Sequence, residues 1–529
     1  MAYHAALYVF VFLPACLVVY QAAPQKHRWK VLLGISWLFF YLISGKLIVY
    51  LIGTTLLTHY TGIWLALLKE KESRAKEHAD RAEKREIKKK YQKQSREVLA
   101  IGVVLLLAVL VYLKYYNFFI ENASIILDWT ALPLPLEAKQ MVLPIGISLY
   151  TLQAIGYMAD VYWGKIRAEE NIFRTALFLS FFPQIMEGPI CRYADTAGQL
   201  FEGKSLAYEN ISDGYVRIFW GLFKKKVVAD RLSVPVCAVF EHYGDYHGAV
   251  IAVAAVAYTI QLYMEFSGCM DIVLGSGKLF GICLPENFRQ PFCAKSAAEF
   301  WRRWHISLGT WFKTYIFYPV SMSGIVKKWN QFGKKHAGKY VTQLGVSAMA
   351  LFPVWLCNGL WHGARWSYIF YGMYYFALIL MGIAVKPGRD RILKVCHIRE
   401  DAVYWRIIQT GKTWVIIFTG ELFFRANGLK AGLSMFGSMF DGFDVGQFWD
   451  GTMLNLGLSR ADLVIVAAGC IAVAVVGHFR EQGGTVNGRL GKAPTPVRWF
   501  AYYALIFAVL IFGAYGDGYQ AVDLIYAGF

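Results

Sequence analysis

Apolar residues run along this chain in blocks of about 20, separated by short polar or basic stretches. A helix of that length crosses a bilayer core of roughly 30 Å. The blocks fall at 3–20, 31–45, 46–68, 99–120, 141–163, 249–280, 341–360, 368–385, 415–424, 463–476 and 499–512. Another, 172–187, ends in Phe181-Phe182-Pro183-Gln184 and is too short to span. It is expected to be re-entrant, with its backbone covered by protein. The pattern predicts an all-α polytopic membrane protein with about 11–13 membrane helices, some short, in a single membrane-embedded domain over 1–529. Residues 1–20 have no basic start and no small-residue cleavage site, so a first membrane helix is expected there rather than a signal peptide. No repeat of fixed period and no inverted pair of broken helices is visible.

The stretch 301–315, Trp-Arg-Arg-Trp-His-Ile-Ser-Leu-Gly-Thr-Trp-Phe-Lys-Thr-Tyr, differs from these blocks. As a helix it places Trp301, Trp304, His305, Leu308, Trp311, Phe312 and Tyr315 on one face. Arg302, Arg303 and Lys313 fall off that face. A second histidine follows in Asn358-Gly359-Leu360-Trp361-His362-Gly363.

Charge sets the expected topology. Basic residues gather at 26–30, 69–97, 164–167, 224–226, 327–339 and 386–406. By the positive-inside rule, the clusters near residue 30 and at 69–97 and 386–406 are cytoplasmic and both termini lie outside. Glu121, Asp128 and Glu137, and Asp441, Asp444 and Asp450, mark outer loops. The stretch 69–97 is either a docking helix for an acidic partner or a solvated helix laced with i,i+4 ion pairs, and the second reading is favoured. The net charge of +18 would suggest nucleic acid in a soluble protein. Here sorting across the membrane and anionic lipid account for it, and no nucleic-acid partner is expected. The nine cysteines form no CxxC pair, which argues against zinc and against a disulfide framework.

Ionisable side chains inside a membrane are costly and usually functional. A positioned imidazole can take a proton from a hydroxyl as that hydroxyl attacks a carbonyl. Asn358 lies one turn before His362 and could orient its ring. Gly359 and Gly363 leave room for a ligand. The competing reading is an interior histidine that only links helices. Two deep histidines, each beside tryptophan, favour function. His305 is a second catalytic group, a binder of the acyl donor, or a packing residue. Arg302 and Arg303 either clamp a phosphate or carboxylate of that donor or snorkel to lipid head groups. Glu265 and Asp271 interrupt an apolar run and need cationic or imidazole partners; a buried ion pair fixing two helices is at least as plausible as catalysis. No GxSxG elbow, Walker loop or HExxH motif is present.

Taken together, Trp301 to Leu308 and Trp361-His362-Gly363 resemble the membrane-bound O-acyltransferase (MBOAT) family, in particular its bacterial alginate O-acetyltransferase branch. The resemblance extends over most of the chain. It includes Leu143-Pro144-Ile145-Gly146, Tyr157-Met158-Ala159-Asp160, Phe182-Pro183-Gln184, Gly188-Pro189-Ile190, Phe266-Ser267-Gly268, Asp271, Pro285-Glu286-Asn287-Phe288 and Phe423-Phe424-Arg425-Ala426. It implies a ring of helices around a thin central region pierced by a tunnel. It implies that His362 occupies the catalytic histidine position and His305 the second family histidine. Arg302, Arg303, Asn358, Trp304, Trp361 and Asp271 are the expected substrate-binding set.

The expected function is transfer of an acyl group, acetyl first of all, from a cytoplasmic thioester to hydroxyls of an extracytoplasmic polysaccharide. The thioester, acetyl-CoA or an acyl carrier protein, is a co-substrate, and no bound cofactor or metal is expected. Membrane lipid and an extracytoplasmic polysaccharide-acetylating protein are the expected partners, and the bacterial plasma membrane the location. The rivals are D-alanyl transfer to teichoic acid from a carrier protein, and a transporter or flippase without chemistry.

Overall fold

A computed structural model of the chain describes residues 2–130, 137–483, 488 and 490–515, with the side chains of 128–130 undescribed. Every regular element among them is helical. The C-terminal segment 517–529, expected outside, and Met1 lie beyond the described residues, as does the side chain of Asp128. Seven helical stretches there are long and apolar enough to cross a membrane: Gln25–Glu77, Arg81–Leu127, Ala249–Leu279, Gly338–His362, Trp366–Val395, Arg460–Glu481 and Thr495–Phe512. The first contains a turn at Gly45, whose φ of 52° suits glycine and divides it into Gln25–Ser44 and Ile48–Glu77. Of the four remaining expected blocks, three are met by the shorter helices Leu13–Ala22, Ile147–Trp163 and Ile172–Ser180, and 415–424 lies in Val403–Arg425.

The chain divides into two compact units, one of Met1–Tyr215 with Val273–Pro285, the other of Val216–Ile272 with the residues from Glu286 onward. In the first unit the charged stretch 69–97 is part of a helical hairpin, Ile48–Glu77 and Arg81–Thr130. Asp80 starts the second helix: its carboxylate accepts the Ala82 and Glu83 amides while Glu83 accepts the Asp80 amide. That reciprocal cap is a strong local start signal. Outward from it run the ion pairs Glu70–Arg74, Glu72–Lys76, Glu86–Lys89 and Lys93–Glu97, three of them at i,i+4. The stretch 69–97 is thus two ion-paired helical segments on either side of a turn at 78–80.

The block 172–187 is helical only over Ile172–Ser180, started by Asn171, whose side chain accepts the Phe173 amide at 3.0 Å. Phe181, Phe182 and Ile185 follow, fully buried and non-helical. The Phe182 backbone is satisfied by side chains: its amide donates to Ser36 Oγ, and its carbonyl accepts the Tyr3 hydroxyl. The Met186 amide donates to that same hydroxyl. Irregular backbone at membrane depth requires such cover.

The second unit is built around the hairpin of Gly338–His362 and Trp366–Val395. The two helices approach through glycines: a Cβ on Gly372 would run into the Trp355 carbonyl oxygen, and one on Gly359 into that of Tyr368. Small residues at the crossing let helix backbones meet in lipid. Gly359 therefore makes space for a helix, not for a ligand. The second helix continues to Val395, so the first part of the expected basic loop 386–406 is an exposed helical extension.

Candidate functional site

His362 is the last residue of Gly338–His362. Gly363 adopts φ 152° and ends the helix there, a conformation suited to glycine. The His362 side chain is interior, in a residue only 5% exposed. Its ring stands at 87° to Phe424 with centroids 4.9 Å apart, and at 87° to Tyr371 at 6.0 Å. Tyr368 lies 6.3 Å away. Three helices thus fix the ring: its own, Trp366–Val395 and Val403–Arg425. Asn358 is buried one turn earlier, and its Nδ2 has no hydrogen-bond partner among the described residues. That nitrogen does not orient the imidazole.

The stretch 301–315 is not the continuous helix that its spacing predicts. Ala297–Arg303 is one short helix, capped by Ser296, whose hydroxyl accepts the Glu299 amide. Trp304 is extended and His305 takes a left-handed conformation, φ 47° and ψ 51°. A new helix runs over Ile306–Phe312 and passes into a π-helical turn, Lys313–Phe317. The cause of the break lies upstream, in the segment from Asn287 to Arg289. The Asn287 carbonyl accepts the Ile306 amide at 3.0 Å, and its Oδ1 accepts the Ser307 amide and hydroxyl at 2.9 Å each. The Arg289 amide donates to the Arg303 carbonyl. These bonds take over donors and acceptors at the helix ends, where they otherwise lack partners. A face calculated from period alone cannot register an acceptor supplied by a distant segment.

The same Asn287 oxygen lies 3.3 Å from His305 Nδ1. Because that atom accepts a backbone amide it must be the oxygen, so Nδ1 carries the hydrogen and Nε2 the lone pair. Phe266 stands edge-on to the imidazole, 4.9 Å away at 83°. Burial holds the His305 ring at about 3, well below its usual range, and therefore neutral. A run of ring contacts joins the two histidines: His305 to Phe266, Phe266 to Trp304, Trp304 to Phe300, Phe300 to Trp301, Trp301 to Tyr371 and Tyr371 to His362.

The other expected residues take varied positions. Trp304 is core, packed on Phe288, Phe300 and Tyr263. Trp361 is partly buried, and Arg302 exposed. Arg303 pairs with Glu299 at 3.0 Å and with Glu481, and donates to the Arg289 carbonyl. Asp271 sits among cations: Lys224 at 2.5 Å, Arg217 at 3.0 Å and Arg480 at 3.8 Å. Arg217 also forks onto both oxygens of Glu286 at 2.6 Å.

The basic cluster Lys224-Lys225-Lys226 is largely interior. It lies in a π-helical turn, Phe223–Ala229, with Lys224 and Lys225 buried. Lys225 pairs with Glu265 at 2.8 Å and Asp230 at 2.9 Å, and Lys226 with Asp230 at 2.9 Å. Gly221 and Gly268 let the two segments touch, since a Cβ on either would clash with the other's carbonyl oxygen. Of the two acids in the apolar run, Glu265 takes Lys225, and Asp271 takes Lys224 and two arginines. Glu421 and Tyr371 escaped notice in the sequence because neither stands in a motif. Tyr371 donates to Glu421 Oε1 at 2.8 Å, both buried. An acid in an apolar block was the available signal. Among the described residues no group of three or more His, Cys, Asp or Glu side chains is placed to hold a metal ion.

The family model described as membrane-bound O-acyltransferase matches residues 166–417, a segment containing both histidines. A Pseudomonas putida protein named a probable alginate O-acetylase is 30% identical over 498 residues, covering 94% of this chain and 91% of its own length. A Helicobacter pylori peptidoglycan O-acetyltransferase is 30% identical over 370 residues, 64% of either chain. A Bacillus subtilis teichoic acid D-alanyltransferase is 28% identical over 241 residues, 44% of this chain and 58% of its own. On the strength of this likeness, which runs along nearly the whole of the Pseudomonas putida relative, this multi-pass membrane protein belongs to the membrane-bound O-acyltransferase family and is an O-acyltransferase.

Proposed function

We propose that the chain, acting as one membrane-embedded domain of the bacterial plasma membrane, transfers acetyl from a cytoplasmic thioester to hydroxyls of an extracytoplasmic cell-wall or exopolysaccharide. The acceptor is reached directly or through a partner protein. His362 takes the hydroxyl proton as the oxygen attacks the thioester carbonyl. The C–S bond breaks, and the thiolate leaves with a proton. The observation that carries this reading is the placement of His362, buried at a helix end and held by rings from two further helices. The exposed carbonyls of a helix C-terminus suit the imidazolium that forms when the ring takes a proton. His305, neutral and with Nε2 as its lone-pair atom, suits a hydrogen-bond acceptor that positions the acyl donor. The tunnel that the family resemblance implies would bring a charged thioester to the acceptor without moving its head group through hydrocarbon.

Sequence similarity favours acetyl over D-alanyl, because the acetylase and acetyltransferase relatives share more of this chain than the D-alanyltransferase does. The test uses purified protein in lipid nanodiscs with acetyl-CoA or acetyl-carrier protein and a polysaccharide acceptor. Mass spectrometry should find acetyl esters on the glycan, with thiol released in step. Consumption of D-alanyl carrier protein alone would replace acetyl with D-alanyl. Movement of solute without release of thiol would overturn the enzymatic reading.

A further inference from the structure

We infer that Glu421 is a positioning residue for His362, acting through the hydroxyl of Tyr371. The inference rests on His362 being the base. Glu421 lies in Val403–Arg425, one turn before Phe424, whose ring centroid is 4.9 Å from that of His362. The Glu421 residue is 1% exposed. One carboxyl oxygen accepts the Tyr371 hydroxyl at 2.8 Å; the other is buried with no hydrogen-bond partner among the described residues.

A carboxyl held this way costs the fold free energy, since a buried polar atom without a partner forfeits its hydration. Joining the two helices does not require it. Tyr374 already donates to the Ile416 carbonyl at 2.9 Å, and Phe370 packs on Phe423 at 4.6 Å. Gly420 accommodates the Tyr375 hydroxyl, which a Cβ there would strike. What Glu421 adds is control of a single phenol. Tyr371 is wedged between Phe424 at 5.0 Å, Tyr375 at 5.0 Å and Trp301 at 6.1 Å, and turns its ring perpendicular to the imidazole. With its hydroxyl anchored, the phenol cannot rock in that cage, and the imidazole keeps its plane. Small displacements of a reacting group cost large factors in rate.

The test compares Tyr371→Phe, Glu421→Leu, Glu421→Gln, the Tyr371→Phe/Glu421→Leu pair and His362→Ala, with turnover referred to folded protein. Tyr371→Phe and Glu421→Leu should each lower kcat by about tenfold to a hundredfold with the KM for the acyl donor unchanged. The double variant should be no worse than either alone, because both remove one hydrogen bond. Glu421→Gln retains an acceptor oxygen and should recover most of kcat. Additive losses, a glutamine as poor as leucine, or unchanged kcat would overturn the inference. If His362→Ala is inactive while Glu421→Leu is normal, only the positioning role fails. If His362→Ala is active, the base assignment fails, and the positioning role with it.

Discussion

Asn287 Oδ1 accepts the backbone amide and the hydroxyl of Ser307, each at 2.9 Å. One side chain thereby starts the helix Ile306–Phe312 from outside and holds His305 in a left-handed conformation at its entry. Non-glycine residues at positive φ persist only where their surroundings over-determine them. Asn287→Ala should cost about 0.5–2 kcal/mol, the range for losing a helix cap. It should also free the His305 ring to change tautomer, so turnover per folded molecule should fall. Asn287→Asp keeps the acceptor and should retain more of both. Thermal unfolding in detergent, measured beside donor turnover, checks this; an Asn287→Ala variant with an unaltered midpoint would refute the capping role.

Asp271 faces Lys224, Arg217 and Arg480, and Lys224 is itself buried. Breaking a buried ion pair from one side costs about 3–5 kcal/mol, because the partner's charge is left behind. Asp271→Asn should therefore reduce the amount of folded protein more than the turnover of what folds. Size-exclusion yield and specific turnover separate the two. Normal yield with turnover down more than about a hundredfold would make Asp271 a chemical participant instead.

The hairpin of Ile48–Glu77 and Arg81–Thr130 carries exposed lysines and arginines over 69–97 and should face the cytoplasm. A cysteine placed at position 84 reports on this. Cys283, Cys293 and Cys396 are already exposed and must first be replaced. In intact cells an impermeant thiol reagent should leave Lys84→Cys unlabelled, and should label it after permeabilisation. Labelling before permeabilisation would invert the topology.

These residues show what was legible in the sequence. Helix class, the i,i+4 pairs over 69–97 and the covered irregular turn after Ser180 depend on local composition and spacing, and local composition revealed them. The break at His305 depends on Asn287, which belongs to a separate segment, and a face drawn from period alone made 301–315 one helix. The burial of the basic cluster Lys224-Lys225-Lys226 was not legible, because two of its acidic partners, Glu265 and Asp271, stand on another helix, Ala249–Leu279. The contact between Gly221 and Gly268 that brings them together is tertiary. Gly359 read as ligand space for the same reason: only the fold shows that Tyr368 fills it. The Glu421–Tyr371 bond joins two helices and leaves no motif.

His362 and His305 should separate when mutated, because their surroundings differ. His362 stands at a helix end between two perpendicular rings. His305 is neutral, with Nδ1 directed at Asn287 and Phe266 edge-on to its ring. Burial disfavours the charged form of the His305 ring, which suits accepting a hydrogen bond more than taking up a proton. Removing a general base costs about 10²–10⁴ in rate. Removing a packing side chain costs roughly 0.5–3 kcal/mol of stability instead. His362→Ala should leave folded, membrane-inserted protein with almost no transfer and acyl-donor binding largely kept. His305→Ala should lower transfer by a smaller factor and weaken donor binding. Turnover, donor affinity and thermal stability measured together on both variants decide it. If His362→Ala turns over normally, or fails only by not folding, the base is another group and a transport path without chemistry becomes the better reading.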